Sequence, residues 1–289
     1  MMRILHFSDV HFPMTYAGSF WRERMRPKRF LAALNYGLRR RSCFKEAPAK
    51  WEAFRSFVEE GAFDAVVCTG DLTASGMSGE LASARERLRF LFSHPGFVLM
   101  PGNHDVYLPG MGQALFGRYF SDSMRGELIR PEGCAVGLPC ARLLGDDVAV
   151  VAVDSVKPNP CIWLSSGRVN ERQMEWTREL LGHEALRDRF VLVATHYNLD
   201  DGDSWRHGLE NRAAFREMLS AFPNVGAVLH GHVHRSGRAE LPGLNAPAFC
   251  AGSLTYRGRE SFWVLEWDGT VLSARKGGWD GTRYILQDG

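Results

Sequence analysis

Several of the usual catalytic and anchoring signatures are missing from this chain. Its six cysteines form no C-x-x-C pair, so neither a paired-thiolate zinc site nor a dithiol redox motif is written into it. No G-x-S-x-G turn is present to expose a serine nucleophile, and no P-loop to cradle a nucleoside triphosphate. No apolar run approaches the length of a bilayer span. The formal net charge of +2 over 289 residues is too small to argue by itself for a polyanionic partner. Met1 to Phe7 is too short for the apolar core of a secretory leader and runs straight into Asp9, so a first strand and a reducing cytoplasm are expected. Cys68 and Cys250 sit in apolar runs and read as small buried thiols. No repeat, linker or low-complexity stretch interrupts residues 1–289, which are expected to form a single domain.

What the chain does have is a recurrent junction, an apolar strand that stops abruptly in metal-ligand residue types. The plainest runs from Phe97 to Met100, is stopped by Pro101-Gly102, and continues as Asn103-His104-Asp105. Arg3 to Ser8 ends in Asp9-Val10-His11, and in an extended chain Asp9 and His11 point the same way. Phe63 to Cys68 ends in Thr69-Gly70-Asp71, where Gly70 allows a sharp turn and a close backbone approach. Phe190 to Thr195 ends in His196. Val225 to Leu229 leads into His230-Gly231-His232-Val233-His234, with His232 and His234 again two apart. In open α/β sheets ligands sit at such strand ends.

Between these strands the apolar spacing predicts helices around Trp51, Phe54, Phe57 and Val58, and around Leu81, Ala84, Leu88 and Leu91. Shorter helices are expected within 111–120, over 171–181 with Asn170 as N-cap, and from Asn211 to bury Phe215, Met218, Leu219 and Phe222. Ala141 to Leu144 and Val148 to Val153 read as a hairpin about Gly145-Asp146-Asp147. The tail from Ala248 onward reads as all-β. Strands alternate with helices early and become hairpin-rich late, which predicts layered α/β packing with a mixed sheet.

One segment, about 14–45, has a different character. Between Phe20 and Lys45 it holds nine basic residues (Arg22, Arg24, Arg26, Lys28, Arg29, Arg39, Arg40, Arg41, Lys45) against one acid, Glu23. Phe30, Leu31, Leu34 and Leu38 keep helical spacing within it, so a basic amphipathic helix is expected. Four readings compete: a solvated helix packed by its apolar face, a lid over an anionic substrate, a membrane-surface patch, or a nucleic-acid patch. The neighbouring Tyr16, Phe20 and Trp21 favour the lid or a lipid-facing segment.

Collected, the strand-end groups are Asp9, His11, Asp71, Asn103, His196, His232 and His234, with His104 and Asp105 beside them. Seven donors exceed what one four- to six-coordinate ion uses and fit two ions sharing a carboxylate. All are nitrogen or oxygen donors, which suits Mn²⁺, Fe or Zn²⁺. Such a pair clamps the attacking and leaving oxygens of a displacement at phosphorus and supplies hydroxide near neutral pH. Metal-assisted hydrolysis of a phosphate ester is the expected reaction class. His6 and His230 read as core or supporting groups, and His94 and His183 as exposed. His207, near Arg206 and Arg212, is a weaker candidate for substrate contact, as are those two arginines.

Asp9-Val10-His11, Gly70-Asp71, Gly102-Asn103-His104-Asp105, His196 and Gly231-His232-Val233-His234 occur in the order and spacing of the calcineurin-like metallophosphoesterases, and the chain resembles that family from residue 3 to about residue 234. The resemblance implies a four-layer α/β/β/α sandwich of two mixed sheets flanked by helices, with two divalent ions, manganese foremost and iron or zinc as alternatives. It assigns Asp9, His11 and His234 to one ion, Asn103, His196 and His232 to the other, and Asp71 to both. His104 would protonate the leaving oxygen or stabilise phosphoryl charge, with Asp105 orienting its ring. Many relatives resembling small-molecule phosphodiesterases carry His-Pro where this chain has His196-Tyr197-Asn198, so that wall of the pocket departs from the family pattern.

The leading expectation is hydrolysis of a phosphodiester or pyrophosphate bond in a small nucleotide-like substrate, such as a cyclic nucleotide, because motifs and length look like bacterial class III cyclic-nucleotide phosphodiesterases. An alternative is a UDP-2,3-diacylglucosamine pyrophosphohydrolase of lipid A synthesis, in which the basic, aromatic-flanked insert meets lipid and the protein is peripherally membrane-associated. A metal-dependent nuclease is disfavoured by the near-neutral charge. A scaffold that has lost its metals is disfavoured by the complete ligand set.

Overall fold

The computed structural model describes residues 1–287 apart from Tyr16, Phe20, Ala135 and Val136. Tyr16 and Phe20, expected to flank the basic insert, therefore lie outside the described residues, as do the side chains of Arg22, Arg24 and Arg39. Twelve strands are described: β1 (Met2–Phe7), β2 (Ala65–Cys68), β3 (Phe97–Leu99), β4 (Cys140–Leu144), β5 (Val148–Ala152), β6 (Phe190–Ala194), β7 (Val225–His230), β8 (Gly237–Leu241), β9 (Leu244–Cys250), β10 (Ser261–Trp267), β11 (Leu272–Trp279) and β12 (Tyr284–Leu286). They form two six-stranded mixed sheets, in the orders β12-β11-β10-β1-β2-β3 and β4-β5-β6-β7-β9-β8. The helices are α1 (Trp21–Arg24), α2 (Pro27–Asn35), α3 (Ala47–Glu60), α4 (Ser78–Leu88), α5 (Gly112–Phe120), α6 (Glu171–Leu181) and α7 (Arg212–Ser220). Among the described residues no helix is long and apolar enough to cross a membrane.

The central strands are buried on both faces, which is why they read as unbroken apolar runs rather than as alternating ones. Ile4, Val67 and Val98 of one sheet meet Val150, Leu192 and Leu229 of the other in the inter-sheet core. Their neighbours point outward into helices, with Phe7 against Trp51 and Phe54 at ring separations of 5.9 and 5.0 Å. On the far side Val151 and Val193 join Leu180, Phe215 and Leu219 of α6 and α7 in the outer core. Helix, sheet, sheet and helix thus stack as the four expected layers.

The parallel pairings decide where the loops emerge. β1, β2 and β3 run parallel with Phe7 opposite Cys68 and Cys68 opposite Leu99. β5, β6 and β7 run parallel with Ala152 opposite Ala194 and Ala194 opposite Leu229. Parallel strands in level register release their following loops at one edge, and that edge carries Asp9, Asp71, Asn103, His196 and His232.

Local signals hold where side-chain chemistry specifies the element. Asn170 caps α6, its Oδ1 accepting from the Gln173 N–H at 2.9 Å, and β4 and β5 pair as the expected hairpin with Leu144 opposite Val148. The edge strand β8 was not legible, because all but its last residue are exposed and no apolar alternation marks it. The basic insert departs most from expectation. Its helical segment, α2 continued by a π-helical turn over Tyr36–Arg40, does not pack by its apolar face: Phe30, Leu31, Leu34 and Leu38 are exposed, while Arg29 is buried.

Candidate metal centre

Five residues at the sheet edge hold left-handed backbone conformations: Asp9, His11, Asp71, His232 and His234, with φ of 53, 46, 57, 71 and 51°. Among the described non-glycine residues only Ala62 joins them. Each such conformation costs on the order of 1–3 kcal/mol, and strain of this kind persists where the surroundings over-determine it. The turns must also lie very close together. Gly70, at φ +100°, has no room for a side chain, since a Cβ there would stand 2.3 Å from the Gly102 nitrogen. A Cβ on Gly102 would in turn meet Asp71 Oδ1 at 2.1 Å.

These turns bring the strand-end donors into two clusters that share one carboxylate. Asp9, His11, Asp71 and His234 form the first, and Asp71, His196 and His232 the second. Asn103 completes the second, its Oδ1 lying 3.0 Å from His196 Nε2 and 2.9 Å from His232 Nδ1. All seven expected ligands are therefore gathered at one place.

The hydrogen bonds around the imidazoles show which nitrogen is free. His11 Nδ1 faces the Thr73 carbonyl at 3.1 Å, His196 Nδ1 the Thr69 carbonyl at 2.8 Å, and His232 Nε2 the His207 carbonyl at 2.7 Å. Each carbonyl fixes the N–H on that side, a tautomer assigned from its partner, and leaves a lone pair on the other nitrogen. The free nitrogens of His196 and His232 then face Asn103 Oδ1 with no proton between them. Acceptor against acceptor at hydrogen-bond distance is the arrangement a cation resolves. Asp9 Oδ1 gives a second sign, being buried without a hydrogen bond although His234 Nε2 is 3.0 Å away. The residues fit divalent ions.

The electrostatics agree. Burial, then the positive Arg40, pushes His11 down to about 3, and burial, then His196, pushes His232 to about 3, so both are neutral ligands at pH 7. Burial, followed by the neighbouring Asp9 and Asp105 carboxylates, raises Asp71 well above the usual carboxylate range. Burial acts the same way on Asp9, but the neighbouring imidazoles, His234 foremost and then His11, outweigh it and hold Asp9 low. A carboxyl in the Asp71 position is stable as an anion only beside positive charge. Loading the ion-free chain below the raised pKa of Asp71 is therefore expected to release that proton, so apparent metal affinity should rise with pH through that range. Titration calorimetry in buffers of different ionisation heat measures that release, and affinity that is flat with pH would contradict it.

Of the two expected catalytic groups, His104 faces the site and Asp105 does not support it as anticipated. His104 Nδ1 is held at 2.7 Å from the Ala74 carbonyl, not by Asp105. The Asp105 carboxylate instead accepts from the Gly102, Leu72 and Thr73 backbone N–H groups and the Thr73 hydroxyl. It ties the Asn103 loop to the Asp71 loop. Of the weaker substrate candidates, His207 lines the cavity with Ser165 and Asp203. Arg206 and Arg212 are not among its lining residues: Arg212 pairs with Asp201 at 2.9 Å, and Arg206 lies over the Trp205 ring. Tyr197, at the departure from His-Pro, is buried against the His232 ring and donates to the Ser165 carbonyl at 2.6 Å. His6 is a buried partner of Thr69 Oγ1, and His94, expected exposed, is half-buried against the Phe63 carbonyl.

Sequence reasoning missed three lining residues outright, Ser165, Asp203 and Tyr256, and located Arg40 only as part of a basic run. Arg40 Nη1 lies 2.8 Å from His104 Nε2, and its Nη2 is 3.3 Å from His11 Nε2. The only advance signal was the basic run itself, which does not say which arginine turns inward.

Two donor clusters joined by a carboxylate, at the common edge of two facing mixed sheets, define a metallophosphoesterase fold. The family model for calcineurin-like phosphoesterases matches residues 2–236, and the chain belongs to that family. It is 29% identical over 203 residues to the 3',5'-cyclic adenosine monophosphate phosphodiesterase CpdA of Haemophilus influenzae, covering 66% of this chain and 63% of the relative. It is 28% identical over 210 residues to the CpdA of Escherichia coli K12, covering 69% and 68%. The chain thus spans about two-thirds of the length of the curated relatives it matches. Among solved structures it is similar to a dimetal phosphatase from Danio rerio, with TM-score 0.64, 13% identity, and 99% and 98% of the two chains covered. The protein TT1561 of Thermus thermophilus matches with TM-score 0.50, 14% identity, and 94% and 97% covered.

Proposed function

We propose that this protein is a dinuclear metal-dependent phosphodiesterase acting on a small nucleotide-like phosphodiester, with a cyclic nucleotide as the first candidate. The observation that carries the reading is the pair of donor clusters sharing Asp71, set beside His104 in a cavity of about 390 Å³. That volume lies in the range of small-ligand pockets. The cyclic AMP phosphodiesterase named among the relatives supports the substrate class. Asp9, His11 and His234 would hold one ion, Asn103, His196 and His232 the other, and Asp71 both, with manganese put first by the family resemblance and iron or zinc equally compatible with this nitrogen and oxygen set. When bound, two such ions supply Lewis acidity at phosphorus and lower the pKa of water near neutrality.

The chain's own residues do the rest. The Ala74 carbonyl holds the His104 N–H at Nδ1, so Nε2 faces the cavity and Arg40. Burial, then Arg40, lowers this ring well below the usual imidazole range, so Nε2 would take up a proton for the leaving oxygen only once a phosphoryl anion offsets the Arg40 charge. Arg40 brings a fork of N–H donors to the same place, where phosphoryl oxygens would accept them. Arg40→Ala is expected to raise KM about tenfold or more with metal content unchanged. Steady-state kinetics alongside metal analysis checks it, and an unchanged KM would return the insert to a merely structural part.

The test of the function is hydrolysis of cyclic AMP by the manganese-loaded protein, abolished by chelation and restored by manganese. A second substrate, UDP-2,3-diacylglucosamine, belongs in the same assay because the exposed apolar face of α2 favours a substrate with acyl chains. Turnover of neither compound would overturn the nucleotide reading.

A further inference from the structure

The helix that delivers Arg40 is inside out. Arg29, Tyr36 and Arg40 recur at helical spacing along α2 and its π-helical continuation, and this polar face meets the protein. Arg29 is 3% exposed and donates to the Gly76 and Ser75 carbonyls at 2.6 and 3.3 Å. Lys28 Nζ lies 2.6 Å from both the Tyr107 and the Asn159 carbonyl. The opposite face presents Phe30, Leu34 and Leu38, which are 68, 52 and 75% exposed. An ordinary surface helix does the reverse. The helix cannot roll over to hide these side chains, because Arg29 and Lys28 would leave carbonyls that, among the described residues, only they satisfy.

The exposed apolar side chains are not confined to α2. Trp163 is two residues from Ser165, and Trp205 lies between Asp203 and His207; both tryptophans are exposed, and Ser165, Asp203 and His207 line the metal cavity. Large apolar groups therefore stand on the segments that surround the cavity mouth. Arg26, Arg41, Lys45 and Arg206 are exposed around them. The single acid of the insert, Glu23, is buried and spent on Ser78 and Arg29, so the outward charge there is positive.

We propose that this face docks on an anionic lipid surface, with α2 lying in the interface and the cavity mouth at headgroup level. Apolar side chains would sink below the headgroups while the flanking cations rest among phosphates. A second copy of the chain is the less suitable cover, since a symmetric contact would set the same cations against each other. The proposal rests on the outward face alone and does not depend on the chemistry of the metal site.

Sedimentation of the full-length protein with phosphatidylcholine vesicles, with and without phosphatidylglycerol, tests it. Binding to the anionic vesicles is expected to exceed binding to the neutral ones by about tenfold or more and to weaken with salt. The double variant Phe30→Asp, Leu38→Asp, both exposed and outside the cavity, should lose that binding. Its thermal transition and its turnover of a water-soluble chromogenic phosphodiester should stay unchanged. Three results would overturn the proposal: no binding of the parent protein to anionic vesicles, equal binding by the double variant, or a solution dimer that the variant dissociates while neither protein binds vesicles. Vesicle binding without turnover of any phosphodiester would tell against the proposed function and leave the docking face standing.

Discussion

Asp71→Asn is expected to lower turnover by more than about a hundredfold, the upper end of what loss of a group merely supporting a ligand costs, and to reduce the metal content of the purified protein. The carboxylate belongs to both donor clusters, so the substitution would weaken both ions of the proposed pair at once. The amide keeps the volume and can still accept from the His104 backbone N–H, which donates to Asp71 Oδ1 at 2.8 Å. Folding should therefore survive, and the thermal transition of the ion-free variant should match or exceed that of the ion-free parent. The reason is electrostatic: a buried carboxyl crowded by Asp9 and Asp105 gives way to a neutral group. Elemental analysis after manganese reconstitution decides the matter. Two full equivalents of metal in the variant would show that Asp71 does not serve both sites.

His104→Ala should behave differently. Turnover is expected to fall by about 10²–10⁴-fold, the usual contribution of a positioned acid or base, with metal content and thermal stability nearly unchanged. His104 is absent from both donor clusters, and its ring is anchored by a backbone carbonyl. Removing it also frees Arg40, whose Nη1 faces His104 Nε2. The variant separates the two roles cleanly. Loss of metal together with activity would place His104 among the ligands and defeat the division of labour proposed here.

The correction at Asp105 has a physical lesson. An acid directly after a histidine invites the idea that it steers the ring, because imidazoles are so often oriented by carboxylates. In the fold the Asp105 side chain turns back into the loop, where three backbone N–H groups and the Thr73 hydroxyl from two turns converge on it. Buried N–H groups at a crowded junction outcompeted the neighbouring ring. Arg212 was drawn away in the same fashion, toward Asp201.

The order of apolar strands and their ligand-bearing ends was determined by the sequence alone, because a doubly buried strand must be apolar throughout and must stop where polar side chains begin. The seven candidate ligands follow from that pattern, and the α6 cap and the β4–β5 hairpin were legible because their signals lie within a few residues. Only the tertiary structure decided that the five junctions share one edge, since this depends on parallel pairing and level register between strands far apart in the chain. It alone also decided which nitrogen of each histidine is free, that Arg40 enters the cavity, and that α2 turns its apolar side to solvent. Spacing specifies that a helix has two faces; which face meets the protein depends on the carbonyls of Gly76, Tyr107 and Asn159, contributed from elsewhere in the fold.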